Sequence, residues 1–404
     1  MQHVLVLNAG SSSIKFAVFG AQLDHGGALP AQLRGEVDEL GGSARLSACD
    51  GDARPLRVDG FDGASHPLES LMRWLAPRFG GMPPAVAGHR VAFGGLEFAA
   101  PALITPAVLK KLRALVPFAP LHQPANLAPI EWLAERRHDL AQVACFDSSF
   151  HRTQPALAQR YGLPRALHDA GARRYGFHGL SYEYIAGRLP RIDPRAAAGR
   201  TIVAHLGSGA SLCALRNGTS VATTMGFSAL SGAMMATRPG ELDPGIVIWL
   251  LRERGIALAD AEHMLYHECG LKGVGGSADM RILLASREAH AREAVELFVY
   301  RAVREIGSLA AALGGLDALV FTAGIGEHAA PVRAAIAEGC RWLGVELDPR
   351  GNAQPDLGTA RAACVSGTTS RVPVWVIPTD EEQMIARHSL RLMQSPAGTR
   401  RMSP

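Results

Sequence analysis

Asn8-Ala9-Gly10-Ser11-Ser12-Ser13 stands between two apolar runs, Val4–Leu7 and Ile14–Phe19, and Lys15 follows it. Glycine and serine in such a turn let backbone N–H groups and hydroxyls face phosphate oxygens. Lys15 adds a positive charge, and Asn8 is placed to reach a metal ion directly or through water. An ordinary hairpin turn has the same composition, and the strand that follows rules out a P-loop. Gly207-Ser208-Gly209-Ala210-Ser211 repeats the device after Thr201–Leu206. Gly324-Ile325-Gly326 follows Leu316–Phe321 and opens a helical stretch at Val332, where N-terminal amides can meet a nucleotide. Each turn alone is a weak signal. Three glycine turns, each after a buried strand, favour a nucleotide site.

Several polar residues close apolar segments. Arg90 ends Gly88-His89-Arg90-Val91 and offers either a planar fork for a carboxylate or a surface salt bridge. Asp147 ends Val143–Phe146 and reads as a base, a metal partner or a helix cap. His178, inside Arg174-Tyr175-Gly176-Phe177-His178-Gly179, is catalytic or structural. Arg238 lies on the loop Ala236–Glu241. Two arginines and a histidine around one site would suit a transferring phosphoryl group, whose charge needs stabilising. Glu381 either holds Mg²⁺ or caps the helix it begins.

The elements that must position these residues follow from periodicity and turn signals. Strands are expected at Val4–Leu7, Ile14–Phe19, Val143–Phe146, Thr201–Leu206, Ser211–Leu215, Leu316–Phe321 and Val374–Ile377. Helices are expected at Leu68–Leu75, Pro106–Leu115, Ala125–Arg136, Asp243–Arg254, Arg287–Leu313, Val332–Leu343 and from Asp380 or Glu381 onward. The strand-turn-strand units at 4–19 and 201–215 look like copies of one device, which implies two related α/β halves facing a cleft. A chain of 404 residues is long enough for two or three domains. Its 48% hydrophobic and 19% charged residues are a globular balance. The net charge of +4 is spread along the chain without basic blocks, which argues against a nucleic-acid partner. No apolar run reaches membrane-spanning length, and the N-terminal residues lack a basic and apolar leader pattern. The six cysteines form no Cys-x-x-Cys pair and read as buried free thiols. A cytoplasmic protein is expected.

Eleven ordered stretches resemble the acetate kinase family, within the wider group of acetate, propionate and butyrate kinases. They are VLVLNAGSSSIKF at 4–16, GHRVAFGG at 88–95, PLHQPANL at 120–127, FDSSFH at 146–151, RRYGFHGLS at 173–181 and HLGSGAS at 205–211, followed by MGF at 225–227, TRPGELDP at 237–244, DMR at 279–281, FTAGIGEH at 321–328 and IPTDEE at 377–382. The resemblance implies two duplicated RNase H-like domains of the actin, sugar-kinase and Hsp70 type flanking a nucleotide cleft. The first would hold residues 1–147 with the C-terminal helix 380–404. The second, 148–379, would carry most of the ATP site. It also implies a homodimer and direct in-line transfer from ATP to acetate, giving ADP and acetyl phosphate, with Mg²⁺ as cofactor and Mn²⁺ as a substitute.

Carried over by motif, Asn8 and Glu381 would serve the metal, Lys15 the phosphates and Arg90 the substrate carboxylate. Asp147 occupies the position treated as catalytic acid or base. A carboxylate is already ionised at neutral pH, so Asp147 is expected instead to position Arg90, Arg238 or a metal ligand. His178 and Arg238 would stabilise the transition state. His205, Leu206, Gly207, Ser208, Gly209, Asp279, Met280, Arg281, Gly324, Ile325, Gly326, Glu327 and His328 would line the ATP site. The substrate pocket would lie near Ala92, Leu121, Phe177 and Ala229. Acetate kinases commonly have valine at the first of these positions and proline at the last, so two alanines would leave room for about one more methylene, worth about 0.8 kcal/mol, unless neighbours fill it. The chain also departs from the family at Phe93 (usually histidine), Ser208 (asparagine), His328 (asparagine), Leu180 (threonine) and Tyr182 (histidine). A propionate or butyrate kinase is the near alternative. A non-catalytic actin-like regulator is the distant one, and it would have no use for a carboxylate arginine. A sugar kinase would need a more polar pocket. The stretch Ser395–Pro404 is expected to be a loose tail.

Overall fold

The structure, a computed structural model, describes residues 3–10, 13–22, 29–40, 43–64, 66–80 and 83–394. Met1, Gln2, Ser11, Ser12 and the segment 395–404 lie outside the described residues. The chain divides into two compact units, Met1–Ser149 with Asp380–Pro404, and Phe150–Thr379.

In the first unit, β1 (His3–Ala9), β2 (Ser13–Gly20), β3 (Ala31–Leu40) and β4 (Ser43–Asp50) form an antiparallel meander. β1 then pairs in parallel with β5 (Val86–Val91), beyond which lie β6 (Ala102–Leu103) and β7 (Ala141–Phe146). The sheet order is β4-β3-β2-β1-β5-β7-β6. Val4 to Leu7 are all buried, as expected for a strand covered on both faces. One face packs Leu5, Leu7 and Phe16 against Leu68, Leu71, Trp74 and Leu75, the apolar stripe of the helix Pro67–Leu75. The C-terminal helix Glu381–Gln394 returns from the second unit and packs on β1, β5 and β7. Its approach is close: a Cβ on Gly88 would lie 2.5 Å from Ser389 Oγ and 2.6 Å from Ile385 Cγ2. Only glycine at position 88 lets this helix lie against β5.

The second unit repeats the plan. β8 (Arg200–Leu206), β9 (Ala210–Arg216) and β10 (Thr219–Thr223) are antiparallel. β8 pairs in parallel with β11 (Ala318–Thr322), after which come β12 (Ala363–Cys364) and β13 (Val374–Val376). The order is β10-β9-β8-β11-β13-β12. In both units a hairpin is extended on one side by antiparallel strands, β3 and β4 in the first and β10 in the second, and on the other by two parallel strands, and the last strand is a short antiparallel edge. The duplication read from the two hairpins thus extends to whole sheets. The long helix Ala289–Leu313 covers β8, β9 and β10, burying Ala294, Phe298, Ala302 and Ile306 at helical spacing.

Some expectations change. Gly324-Ile325-Gly326 does not open the helix that contains Val332; it lies inside a separate six-residue helix just before it, Ala323–His328, begun by a left-handed Ala323 (φ 64°). The next helix, Ala330–Gly339, starts with Pro331 in its first turn and passes into a 3-10 turn at Arg341–Leu343. All six cysteines are free, but Cys364 is exposed and Cys49 and Cys269 are half-buried, so burial explains only Cys145, Cys213 and Cys340. Among the described residues no helix is long and apolar enough to cross a membrane.

Two glycine substitutions should move stability in opposite directions. Gly88→Ala forces a methyl into Ser389 and Ile385 and is expected to cost about 1–3 kcal/mol. Gly187, in open space in the helix Gly179–Ile192, should gain roughly 0.5–1 kcal/mol as alanine. Urea midpoints for the two variants test this.

Candidate active site

The three parallel strands of each sheet end at one edge, where open α/β sheets bind ligands. In the first unit that edge carries Asn8 at the end of β1, Arg90 at the end of β5 and Asp147 just past β7. The Asp147 N–H donates to Val91 O at 3.2 Å, which fixes the strand ends together. Arg90 Nε lies 3.1 Å and Nη2 2.5 Å from Asp147 Oδ2. Nη1 lies 3.4 Å from Asn8 Oδ1, and Nε 4.0 Å from Glu381 Oε2. Asp147 is fully buried, and the Arg90 side chain is 23% exposed. This is neither a surface salt bridge nor a helix cap. Burial opposes the charge of Arg90, yet Asp147, Glu381 and Glu382 together raise its pKa above the ordinary arginine value.

Glu381 opens the C-terminal helix, but Asp380 caps it, since Asp380 Oδ1 accepts from the Gln383 N–H at 2.9 Å. Asp380 is held in turn by Arg34 at 2.5 Å. Glu381 is left to the site. Burial, with Asp147 and Glu382 nearby, pushes its carboxyl up to about 7 against the pull of Arg90 and Lys15. Lys15 is exposed and pairs across the hairpin with Asn8. Asn126, which the sequence reading passed over within PLHQPANL, ties two strand ends: its Oδ1 accepts from Ala92 N at 2.8 Å and its Nδ2 donates to Ala9 O at 2.6 Å. Phe93 is buried and stacks on Phe118 at 5.7 Å. Leu121 lies in the turn before the helix Gln123–Arg136.

In the second unit the β8–β9 turn, His205 to Gly209, is the centre. A Cβ on Gly209 would lie 2.8 Å from Arg238 Nη2 and 3.0 Å from His178 Nε2, so these two side chains converge on that backbone. Ser208 O accepts from Ala236 N at 3.0 Å, anchoring the arginine loop, and Arg238 Nη1 donates to Ala229 O at 2.8 Å. His178 and His205 stack with centroids 4.3 Å apart. His178 stands in the left-handed region (φ 57°), unusual for a non-glycine residue. Its conformation is held by His151, whose Nε2 donates to Phe177 O at 2.9 Å. Burial lowers His151 to about 4, so its ring is neutral and Nδ1 accepts from the Ser220 hydroxyl at 2.9 Å. His151 carries no signal in the sequence beyond its place in FDSSFH.

The remaining nucleotide candidates occupy two further places in this unit. Asp279 caps the helix Met280–Ala285 and pairs with its own neighbour Arg281 at 2.6 Å, which holds the carboxyl down at about 2. Glu327 Oε1 accepts from Ala323 N at 2.7 Å and Thr379 N at 3.2 Å. His328 is largely exposed, 4.0 Å from Glu327. The helix carrying Gly324, Ile325 and Gly326 is braced by Arg333, a buried arginine that the sequence reading missed. It donates to Gly326 O and Glu327 O, both at 2.9 Å.

Two sheets that share one strand order apart from the extra edge strand β4, each presenting a glycine turn and polar side chains at its parallel-strand edge, define the duplicated α/β fold of the actin-like kinases. The chain belongs within that class to the acetokinase family, whose model matches residues 3–387. It is 50% identical over 404 residues to an acetate kinase of Nitrobacter hamburgensis, covering 97% of this chain and 96% of that one. It is 50% identical over 402 residues to an acetate kinase of Rhizobium meliloti, covering 98% and 100%. Among solved structures, a propionate kinase from Francisella tularensis superposes with a TM-score of 0.87 at 32% identity, covering 97% of this chain and 100% of the other. The Porphyromonas gingivalis acetate kinase gives 0.83 at 32% identity, covering 98% and 100%.

The neutral His151 makes stability depend on pH. Its folded value of about 4 lies below the ordinary histidine value of 6.5, so the unfolded chain takes up the proton first as pH falls. The contribution is complete above about pH 6.5 and lost toward pH 4, by up to roughly 3 kcal/mol. His89, also buried and lowered to about 4, adds to the same loss. Urea midpoints between pH 7 and 4 should therefore fall less steeply for His151→Gln than for the unmodified chain; equal slopes would show that His151 does not contribute.

Proposed function

We propose that this protein is an acetate kinase, catalysing reversible transfer of the γ-phosphoryl group of ATP to the carboxylate of acetate. The observation that carries the reading is Arg90. A guanidinium has five N–H donors in a fixed fork, and Asp147 engages Nε and one edge of Nη2. Donors on Nη1 and Nη2 are then available for a second, substrate carboxylate, and the buried Asp147 fixes the plane in which that carboxylate binds. Asp147 acts as the orienting partner of Arg90 and not as a base, because the acceptor is ionised at neutral pH. His178 and Arg238 stabilise charge on the transferring phosphoryl group, and the second unit carries most of the nucleotide site, with Lys15 of the first unit serving the phosphates.

A divalent cation suits the residues present. Glu381 is a carboxyl that burial drives toward its neutral form, and nearby positive charge would keep it ionised. Glu381 and the Asn8 carbonyl are hard oxygen donors, and Mg²⁺ needs only one or two protein ligands when phosphates and water complete its shell. The metal would neutralise phosphate charge when bound, and Mn²⁺ would substitute.

Acetate is preferred, with propionate close behind. A pocket widened at Ala92 and Ala229 would favour propionate by about 0.8 kcal/mol, or roughly fourfold, so acetate ranks first where neighbouring side chains fill that space. A homodimer completes the reading. In the helix Pro244–Arg252 no residue is buried, and Ile246, Ile248 and Trp249 are about half exposed, an apolar face suited to a second copy.

Three measurements test this. The kcat/KM for acetate, propionate and butyrate with ATP and Mg²⁺, followed by hydroxylamine trapping of the acyl phosphate, should rank acetate first with propionate within about fivefold. Arg90→Lys keeps the charge and loses the fork, and should lower kcat/KM for acetate about 10- to 100-fold. No acyl phosphate from any acid would overturn the kinase reading. For the dimer, Ile248→Asp should sediment as a monomer where the unmodified chain sediments as a dimer.

A further inference from the structure

Tyr182 lies one helical turn after His178, and its side chain is fully buried in the second unit. Its hydroxyl is 2.5 Å from Ser211 Oγ, and Ser211 Oγ is 2.8 Å from His178 Nδ1. Ser211, on β9, is also fully buried. We propose that Tyr182 is a positioning residue for His178, fixing through Ser211 the imidazole tautomer that carries its proton on Nε2. The proposal rests on the reading of His178 as the group that stabilises the transferring phosphoryl.

The argument turns on one proton. A serine hydroxyl has a single hydrogen and can donate to only one of its two neighbours here. A phenol is a far stronger acid than an alkanol, so the hydroxyl of Tyr182 donates to Ser211 and that of Ser211 donates to Nδ1. Nδ1 is then an acceptor, and the proton of a neutral ring sits on Nε2, the atom that faces Gly209 beside Arg238 Nη2. In this tautomer Nε2 presents a donor to phosphate oxygen. In the other it presents a lone pair, which repels an anion. The ring has little freedom to escape the constraint, since it stacks on His205 and its backbone is held at a left-handed φ of 57°. Tyrosine matters to the direction of the chain. The histidine usual at this position can donate or accept through a ring nitrogen, whereas a tyrosine hydroxyl beside serine has one preferred sense.

Tyr182→Phe removes only the hydroxyl and keeps the ring that packs against His205 and His151. The experiment measures kcat and KM for acetate with ATP and Mg²⁺, together with the ¹⁵N resonances of histidine-labelled protein, for Tyr182→Phe, Ser211→Ala and His178→Gln. Tyr182→Phe should lower kcat about tenfold, the kinetic equivalent of one hydrogen bond, with KM within about twofold. His178 should pass from the Nε2–H tautomer to a mixture, and Ser211→Ala should give the same shift from the other end of the chain. An unchanged His178 tautomer in Tyr182→Phe overturns the proposal, whatever happens to kcat, because a packing defect alone would leave the tautomer in place. A shifted tautomer with unchanged kcat also overturns it. If His178→Gln keeps full activity, the phosphoryl role of His178 fails separately, and with it the kinetic part of this proposal.

Discussion

The Arg90–Asp147 pair is the contact on which the first unit's half of the site depends. A carboxylate with no exposure to water is stable as an anion only with a cation hydrogen-bonded to it, and removing one member of such a pair typically costs about 3–5 kcal/mol. Other features of the unit serve that pair. β5 and β7 run parallel and in register, so Arg90 and Asp147 leave the sheet at one edge. Asn126 closes the ends of β1 and the β5 loop from one side. From the other side Gly88 admits the C-terminal helix, whose first residue, Glu381, completes the charge cluster.

The second unit solves a different problem, that of holding neutral or cationic donors over a glycine turn. Gly209 has no side chain because His178 and Arg238 occupy the place where one would go. The left-handed conformation of His178 is offset by contacts that a helix start would not ordinarily have: the His151 bond to Phe177 O, the Ser211 bond to Nδ1 and the His205 stack. The cost of the strain is local, and its effect is a ring whose Nε2 cannot turn away from the site. Arg333 plays the equivalent part for the short helix after β11, donating to carbonyls that have no partner within so short a helix.

Much of this was legible beforehand because its signals are local. Strand and helix positions came from apolar period and turn residues, and most differ from the structure by only a few residues. The exception, Gly324-Ile325-Gly326, failed for a tertiary reason. The segment reads as opening a helix at Val332, yet Glu327 folds back onto Ala323 N and Thr379 N and the segment is itself helical. From its own segment Asp147 was open to three readings, base, metal partner or cap; its ion pair with Arg90 is a contact that only the tertiary structure shows. Glu381 was equally open between metal ligand and cap, and the cap is supplied by Asp380.

The sequence by itself determined the family, the repeated hairpins and the identity of the charged residues, because each is carried by residue type and short spacing along the chain. Tertiary structure decided their partners. Arg90 and Asp147 are 57 residues apart, Asn8 and Arg90 82, and Tyr182 and Ser211 29. A hydrogen bond acts only over about 3 Å and within a narrow angle, so no period or motif encodes which of many polar groups will meet. That is settled when the sheets align their strand ends and burial leaves each polar atom few partners to choose from.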